Sequence, residues 1–306
     1  MYVKGYSQMK SISRGVVNKL NIDDFCFEIH VTEMCNYSCS YCNLSPMNKH
    51  ETIDYSNMFK LDLPKNTRVF LLGGEPTLDR YFFDIINECY YRGYTNISVQ
   101  TNLTFNVEKM TSLLIENNTP VKFYCSFHMQ HADLKTFIKK CVMLHDNELY
   151  GGIHLMWLND LNDKCLLYYN IMKKTLGNVS LEPTLPKSLF PVDWNDKFEL
   201  KKFIEYGHVE KCDRLKKILF IDDVKTTIAH ALADNIEREI YHKKCNAPKN
   251  TVVYSVNKNK FYYCTFDLLY DRDFDIDQFN SGYCLCKNKI CCADLEFSEK
   301  CSHTIK

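Results

Sequence analysis

The sequence has no apolar run approaching the length of about 20 residues that is needed to cross a bilayer. Its N-terminus, MYVKGYSQMKSISRG, also lacks the apolar stretch of a secretory signal. We therefore expect a protein without a membrane segment, located in the reducing environment of the cytoplasm.

Neither sign of charge is in excess, because 38 Lys and Arg residues balance 38 Asp and Glu residues. The overall charge therefore indicates neither a nucleic-acid partner nor an acidic disordered tail. The chain is also poor in Gly (10) and Pro (8), which argues against long flexible linkers. Its 306 residues, 45% of them hydrophobic, suffice for one large domain and a smaller one.

Cysteine, in contrast, is abundant, with 16 residues in the chain. Cytoplasmic proteins rarely carry a disulfide framework. Clustered cysteines are better interpreted as metal ligands, because the thiolate binds metals and a reducing compartment keeps it available. The isolated cysteines lie in apolar patterns and are predicted to be core residues: Cys26, Cys89, Cys125, Cys141, Cys165 and Cys212.

Short apolar runs alternate with helical patterns from about residue 25 to residue 185. The runs predict six strands, at residues 25–31, 68–74, 96–102, 121–128, 151–158 and 178–186. Helices are predicted at residues 79–93, 107–118, 132–146 and 160–174. Strands separated by helices of this length indicate right-handed crossovers and a parallel sheet. We therefore predict an α/β fold, a partial (β/α)6 TIM-like barrel, with its chemistry at the carboxyl ends of the strands.

The alternation stops near residue 187, which divides the chain into four predicted regions. Residues 1–24 form an N-terminal extension and residues 25–187 form the barrel. Residues 188–244 form a linker with a helical stretch at 193–207, and residues 245–306 form a small Cys-rich extension.

Three cysteines, Cys35, Cys39 and Cys42, follow the first predicted strand in the sequence TEMCNYSCSYCNLSP. A 4Fe–4S cluster normally takes four cysteines, so three would leave one iron open to a ligand from outside the protein. Two alternatives remain. Inert core cysteines are disfavoured by a loop rich in Asn, Ser and Tyr, and a structural zinc site would need a fourth ligand.

This loop, with Tyr41 before its last cysteine, resembles the signature of the radical S-adenosylmethionine (radical SAM) superfamily. After the second predicted strand, Gly73-Gly74-Glu75-Pro76 resembles the GGEP motif of the same superfamily. The resemblance implies that the three cysteines hold a 4Fe–4S cluster whose open iron binds S-adenosylmethionine (AdoMet). It also implies that the GGEP backbone binds the amino group of the AdoMet methionine, where glycines allow a close approach to a ligand.

Polar residues at the ends of the next two strands resemble further AdoMet contacts of that superfamily. Thr101 and Asn102 end the third predicted strand, and Ser126 and His128 end the fourth. For Asn102 the alternative is a helix N-cap or a turn residue. For His128 it is a strand-end histidine with ordinary partners.

The second cysteine cluster begins with Cys245 and Cys264, on either side of a predicted hairpin with its turn near NKNK. This stretch is similar to the auxiliary-cluster extension, of the SPASM or twitch type, of many radical SAM enzymes. The similarity implies a second iron–sulfur cluster, with Cys286 and Cys292 as the further ligands and Cys291 and Cys284 as alternates. One departure is Asn246-Ala247-Pro248, where the family usually has Ala-Gly after its first Cys. A structural zinc ribbon is the alternative.

The resemblance implies a radical SAM enzyme that reductively cleaves AdoMet to a 5′-deoxyadenosyl radical, which removes hydrogen from a substrate. An auxiliary cluster favours an oxidative or bond-forming modification of a peptide, a protein or a small molecule. Electrons would come from a donor such as flavodoxin or ferredoxin, and no side chain stands out as a catalytic residue. The alternatives are an iron–sulfur electron-transfer or sensor protein and a zinc-stabilised binding module.

Overall fold

The computed structural model describes two kinds of segment, a nearly continuous stretch and a set of shorter pieces. The first comprises residues 25–42, 55–94, 96–157 and 162–183. The shorter pieces are 218–221, 224–227, 244–245, 247, 251–264, 267–268, 271–282, 284–285 and 303–304. The predicted N-terminal extension, the predicted helix at 193–207 and Cys212 lie outside these residues.

Six parallel strands and four helices alternate along the first stretch. The strands are β1 (Cys26–Thr32), β2 (Arg68–Gly73), β3 (Asn96–Thr101), β4 (Val121–Phe127), β5 (Tyr150–Trp157) and β6 (Val179–Pro183). The helices are α1 (Phe82–Tyr91), α2 (Val107–Glu116), α3 (Leu134–Asp146) and α4 (Asn162–Leu176). Two short 3-10 helices, Ser56–Phe59 and Pro76–Leu78, lie between β1 and α1. All six predicted strands and all four predicted helices are confirmed.

The later part of the chain contributes short strands and one helix. They are β7 (Ile218–Ile221), β8 (Val224–Thr227), β9 (Lys244–Cys245), β10 (Thr251–Ser255), β11 (Lys260–Tyr262), α5 (Ile276–Asn280), β12 (Cys284–Leu285) and β13 (His303–Thr304). Strands β7 and β8 form an antiparallel pair, and β9 lies between β12 and β13 in a three-stranded sheet.

The main sheet has the order β11-β10-β1-β2-β3-β4-β5-β6, and within the described residues β6 and β11 do not pair to close it. It is the partial TIM-like barrel that the sequence predicts. Because β1 to β6 are parallel, their carboxyl ends lie at one edge of the sheet, which we call the carboxyl edge.

Alternation along the strands separates a helix-facing side of the sheet from the inner side. Phe27, Ile29 and Val31 are fully buried in a core cluster that also contains residues of all four helices. Glu28 and His30 lie between them on the opposite, inner face. Side-chain caps fix the helix starts, since Asn106 accepts a hydrogen bond from the Lys109 amide and Asp133 accepts one from the Thr136 amide.

The predicted hairpin near NKNK is confirmed, with β10 and β11 antiparallel around residues 256–259. The hairpin lies at one edge of the main sheet. Strand β10 pairs in parallel with β1, so that Cys26 lies opposite Thr251 and His30 opposite Ser255. The hairpin therefore extends the barrel sheet beside the strand that precedes the first cysteine cluster. A separate domain for the rest of residues 245–306 stays a prediction.

Among the helices that the structure describes, none is long and apolar enough to cross a membrane.

Candidate active site

The first cysteine cluster lies in a tight loop at the carboxyl end of β1. The Met34 amide donates to the Thr32 hydroxyl at 3.1 Å, and the Cys42 amide donates to the Cys39 carbonyl at 3.2 Å. Cys39 is buried, whereas the thiols of Cys35 and Cys42 are half-buried at the carboxyl edge. All three predicted ligands therefore lie together where a parallel barrel has its functional edge.

Electrostatics show that these thiols are close enough to repel one another when ionised. Burial raises the pKa of Cys35, and the nearby Glu75 and Cys42 raise it further, while the Tyr37 amide lowers it. Burial also raises the pKa of Cys39, with contributions in the same direction from Cys42 and Cys35. Thiolates at Cys35 and Cys39 are therefore costly here unless a nearby positive group neutralises them.

The geometry of the loop bears on which metal group it fits. One tetrahedral zinc ion with Zn–S bonds of about 2.3 Å brings its sulfur ligands to about 3.8 Å of one another. Within the described side chains, no three His, Cys, Asp or Glu converge closely enough to hold a single ion. A 4Fe–4S cluster places each cysteine on a different iron and so needs a wider spread of sulfurs. The three thiols of the loop are a donor set that would serve a 4Fe–4S cluster with one open iron.

Gly73 and Gly74 allow the end of β2 to pack closely against the backbone of the cysteine loop. The Gly74 amide donates to the Thr32 carbonyl and the Glu75 amide donates to the Met34 carbonyl, each at 2.7 Å. A Cβ atom on Gly73 would lie 2.2 Å from the Thr32 oxygen, and one on Gly74 would lie 2.0 Å from the Met34 oxygen. The close approach expected toward a ligand is thus an approach to the protein's own cysteine loop, and a contact with AdoMet stays a prediction.

Glu75 is a fully buried carboxylate that joins β2 to β3. It accepts hydrogen bonds from the Asn102 amide at 2.6 Å and the Thr101 hydroxyl at 2.8 Å. It also accepts from the Thr77 hydroxyl at 2.5 Å, beside Pro76, which opens the 3-10 helix. Burial raises the pKa of Glu75, and these hydrogen bonds oppose the rise. These hydrogen bonds hold the ends of β2 and β3 together at the carboxyl edge. The sequence did not indicate this structural role of Glu75.

Asn102 connects the end of β3 to the cysteine loop. Its Nδ2 donates to Asn36 Oδ1 at 2.7 Å and lies 3.8 Å from the Cys35 sulfur. Its Oδ1 accepts from the Thr104 amide and hydroxyl at 3.1 and 2.7 Å. The alternative of a helix N-cap is wrong, because Asn106 caps α2, whereas the turn role is confirmed alongside the contact with the loop.

The end of β4 also supplies side-chain contacts with the cysteine loop. His128 Nδ1 lies 2.7 Å from the Tyr41 hydroxyl oxygen and 3.4 Å from the Cys39 sulfur. Ser126, near the end of the same strand, is buried and accepts from Gln100 Nε2 at 3.3 Å. The predicted residues Tyr41, Ser126 and His128 therefore all reach the carboxyl edge, with His128 and Tyr41 directed to each other.

Two residues that connect the cysteine loop to neighbouring segments were not found from the sequence. Gln130 Oε1 accepts from the Ser40 amide at 3.2 Å, and its Nε2 donates to the Ser40 hydroxyl at 2.9 Å. Asn36 Nδ2 donates to the Thr104 hydroxyl at 2.8 Å. In parallel barrels, functional residues lie in the loops that follow the strands. Asn36 and Gln130 both lie in such loops, so this rule would have identified them.

The second cysteine cluster is only partly described. Cys245 on β9 lies directly opposite Cys284 on β12 and also opposite His303 on β13. Cys264 is half-buried just after β11, and the predicted ligands Cys286, Cys291 and Cys292 lie outside the described residues. Five isolated cysteines are buried as predicted: Cys26, Cys89, Cys125, Cys141 and Cys165.

Comparisons with known proteins bear on the fold. No protein-family model matches the sequence, and no curated protein matches it either. The structure is similar to that of native anSMEcpe with bound AdoMet, at a TM-score of 0.51 and 15% identity over 84% of this chain and 80% of that one. The hexahistidine-tagged form of anSMEcpe with bound AdoMet gives a TM-score of 0.50 at 15% identity, over 85% and 80% of the two chains.

A weaker similarity exists to BtrN in complex with AdoMet and 2-DOIA, with a TM-score of 0.41 at 14% identity over 84% and 81% of the two chains. At these identities the shared property is the fold. The similarity to the two anSMEcpe structures, together with the order of the main sheet, confirms the prediction of a partial TIM-like barrel.

Proposed function

We propose that this protein is a radical SAM enzyme that holds a 4Fe–4S cluster with Cys35, Cys39 and Cys42. The proposal is supported mainly by one observation, which is that two sequence motifs lie side by side at the carboxyl edge and are hydrogen-bonded to each other. The cysteine loop after β1 and the Gly73–Pro76 segment after β2 are bonded to each other through two backbone hydrogen bonds of 2.7 Å. Neither a zinc module nor an electron carrier requires that second segment.

The chain's own residues give the site its shape. Glu75 fixes the ends of β2 and β3 relative to each other, and Asn102 then reaches the Cys35 sulfur. Cys35 and Cys42 are half-buried at the open edge, where a ligand has access. When bound, a reduced 4Fe–4S cluster supplies one electron to AdoMet, which breaks into methionine and a 5′-deoxyadenosyl radical.

AdoMet is proposed to bind at the carboxyl edge above β2, β3 and β4. The two similar structures with TM-scores of 0.50 or more contain AdoMet, and the similarity extends over most of both chains. The residues proposed to surround it are Tyr41, Gly73, Gly74, Glu75, Pro76, Thr101, Asn102, Ser126 and His128. Since the Glu75 oxygens already accept bonds from the protein, its contribution is to position the residues beside AdoMet.

A second iron–sulfur cluster is proposed near β9, with Cys245, Cys264 and Cys284 as ligands. Cys284 was an alternate in the sequence analysis, but its position directly opposite Cys245 favours it. In support of this, burial and also Cys284 raise the pKa of Tyr263, the residue before Cys264, to about 12. A fourth ligand would come from Cys286, Cys291 or Cys292, or from His303 opposite Cys245.

With a second cluster to accept an electron, the reaction is proposed to be an oxidative or bond-forming modification of a peptide, a protein or a small molecule. A small redox protein of the flavodoxin or ferredoxin type is the proposed electron donor, and the cytoplasm is the proposed location. The balanced charge of the chain supports a substrate other than nucleic acid.

The test is an anaerobic purification followed by iron and sulfide counts and a search for 5′-deoxyadenosine after adding dithionite and AdoMet. Replacing Cys35, Cys39 and Cys42 by Ala should abolish AdoMet cleavage and leave iron at the second site. The matched variant, Cys245→Ala with Cys264→Ala, should lose part of the iron and keep AdoMet cleavage.

Two outcomes would refute the proposal in different ways. Cleavage of AdoMet by the triple variant would show that the catalytic site is elsewhere. Iron without any cleavage of AdoMet by the native protein would favour an electron carrier or sensor, and zinc in place of iron would favour a binding module.

A further inference from the structure

The turn that follows β4 clamps the cysteine loop from one side. Gln130 makes two hydrogen bonds to Ser40, one to its amide and one to its hydroxyl. The ring of His131 stacks on Tyr37 with centroids 4.6 Å apart and planes at 18°. The amides of His131 and Ala132 both donate to the His128 carbonyl at 2.9 Å, so the turn itself is fixed. A ring carried by this turn is therefore held in place relative to the cysteines.

His128 uses that position to reach both Tyr41 and Cys39. Its Nδ1 is 2.7 Å from the Tyr41 oxygen and 3.4 Å from the Cys39 sulfur. The Tyr41 hydroxyl in turn lies close enough to the Cys39 thiol to donate to it. The three polar atoms thus form one compact group around the sulfur of a proposed iron ligand.

Which atoms of this group carry protons depends on whether Cys39 is a thiol or a thiolate. A thiolate has no proton and only accepts hydrogen bonds, so each neighbour that stabilises it must donate. A neutral histidine ring has one N–H group, on either Nδ1 or Nε2. With the Tyr41 hydroxyl directed to the sulfur, Nδ1 is favoured to carry that proton, and it donates to the Tyr41 oxygen or directly to Cys39.

We propose that His128 is a positioning residue for the cluster, whose Nδ1–H supports the Cys39 thiolate either directly or through Tyr41, and thereby raises the reduction potential of the cluster. A hydrogen bond to a ligating sulfur withdraws electron density from it, which stabilises the reduced, more negative cluster. This inference rests on the proposed function, since it requires iron at Cys39.

Three variants of His128 separate a hydrogen-bonding role from a packing role. In His128→Asn, the amide nitrogen takes the place of Nδ1 and keeps a donor near Tyr41 and Cys39. In His128→Gln, the amide reaches the place of Nε2 instead, and His128→Leu has no donor. Gln130→Ala is the matched control, because it loosens the loop without removing a donor to sulfur.

The measurement is an anaerobic redox titration of the full-length reconstituted protein, followed by electron paramagnetic resonance. The signal whose shape changes on adding AdoMet identifies the cluster at Cys39 and separates it from a second cluster. We expect a lower midpoint potential for His128→Leu and His128→Gln, and a potential close to that of the native protein for His128→Asn and Gln130→Ala.

Equal potentials for native protein and His128→Leu, at equal iron content, would overturn the proposal while the proposed function stands. Loss of this cluster from all three His128 variants would also overturn it, because His128 would then be needed for assembly rather than for potential. If the native protein itself shows no AdoMet-sensitive signal, the proposed function fails and this inference fails with it.

Discussion

The close contact between Gly74 and the cysteine loop gives a sharp prediction for Gly74→Ala. The added Cβ would lie 2.0 Å from the Met34 oxygen and 2.8 Å from the Glu33 oxygen. Both are backbone atoms, so neither can swing aside as the end of a flexible side chain can. The cysteine loop must move away from β2 as a unit.

The expected loss of stability follows from two contributions. Overpacking a buried position costs about 1–3 kcal/mol. Moving the loop also weakens the two backbone hydrogen bonds from Gly74 and Glu75, each with a net contribution of about 1 kcal/mol. We therefore expect Gly74→Ala to lower the free energy of unfolding of the metal-free protein by about 3–5 kcal/mol.

Urea denaturation of the metal-free protein measures this loss, and iron content after reconstitution measures the effect on the site. Gly93→Ala is the control, since Gly93 has φ +87° but no atom within 4 Å of an added Cβ. That variant should cost only about 1–2 kcal/mol, from the left-handed backbone, and should load iron normally. A Gly74→Ala protein that is as stable as Gly93→Ala and loads iron fully would refute the reasoning.

Three further predictions concern single side chains. Burial and Lys258 lower the pKa of His30 from 6.5 to about 4, so native stability should fall by about 3 kcal/mol as the pH falls from 6.5 to 4. His30→Leu should remove this loss in urea titrations and cost little at pH 7, because Nε2 of His30 has no hydrogen-bond partner among the described residues. Burial raises the pKa of Glu75, so this carboxyl lowers stability as the pH rises between its unfolded and folded pKa values, and Glu75→Gln should flatten that part of the profile. Asn106→Ala removes the cap of α2 and should cost about 1 kcal/mol in thermal or urea unfolding, without change in iron content.

The barrel could be predicted from the sequence because each element has a local cause. Phe27, Ile29 and Val31 alternate on one face of β1, and Gly93 follows α1 with φ +87° where that helix ends. The pairing of β10 with β1 could not be predicted in this way. A run such as TVVYS indicates a strand, but nothing within the run identifies a partner more than two hundred residues away.

In the site, as in the fold, some features could be predicted from the local sequence, whereas others depend on contacts between distant segments. From the sequence, Asn102 and His128 could be predicted to lie near the cysteine loop, because each follows a parallel strand and parallel strands end at one edge of the sheet. The atoms that each residue contacts could not be predicted in this way. The packing of Gly73 and Gly74 against the cysteine loop and the role of the buried Glu75 in holding the strand ends together could not be predicted, since both depend on how β2 packs against the end of β1. Gln130 was missed because a glutamine in a loop is most often a solvated surface residue.

The pairing of β10 with β1 also has a consequence for the biosynthesis of the protein. During translation, the strand that leads into the cysteine loop has an uncovered edge until residues 251–255 leave the ribosome. Contacts over such a sequence distance form slowly, because a large loop must close first. We therefore expect iron to enter a finished chain, and a chain cut before β10 to collect as aggregates in the cell.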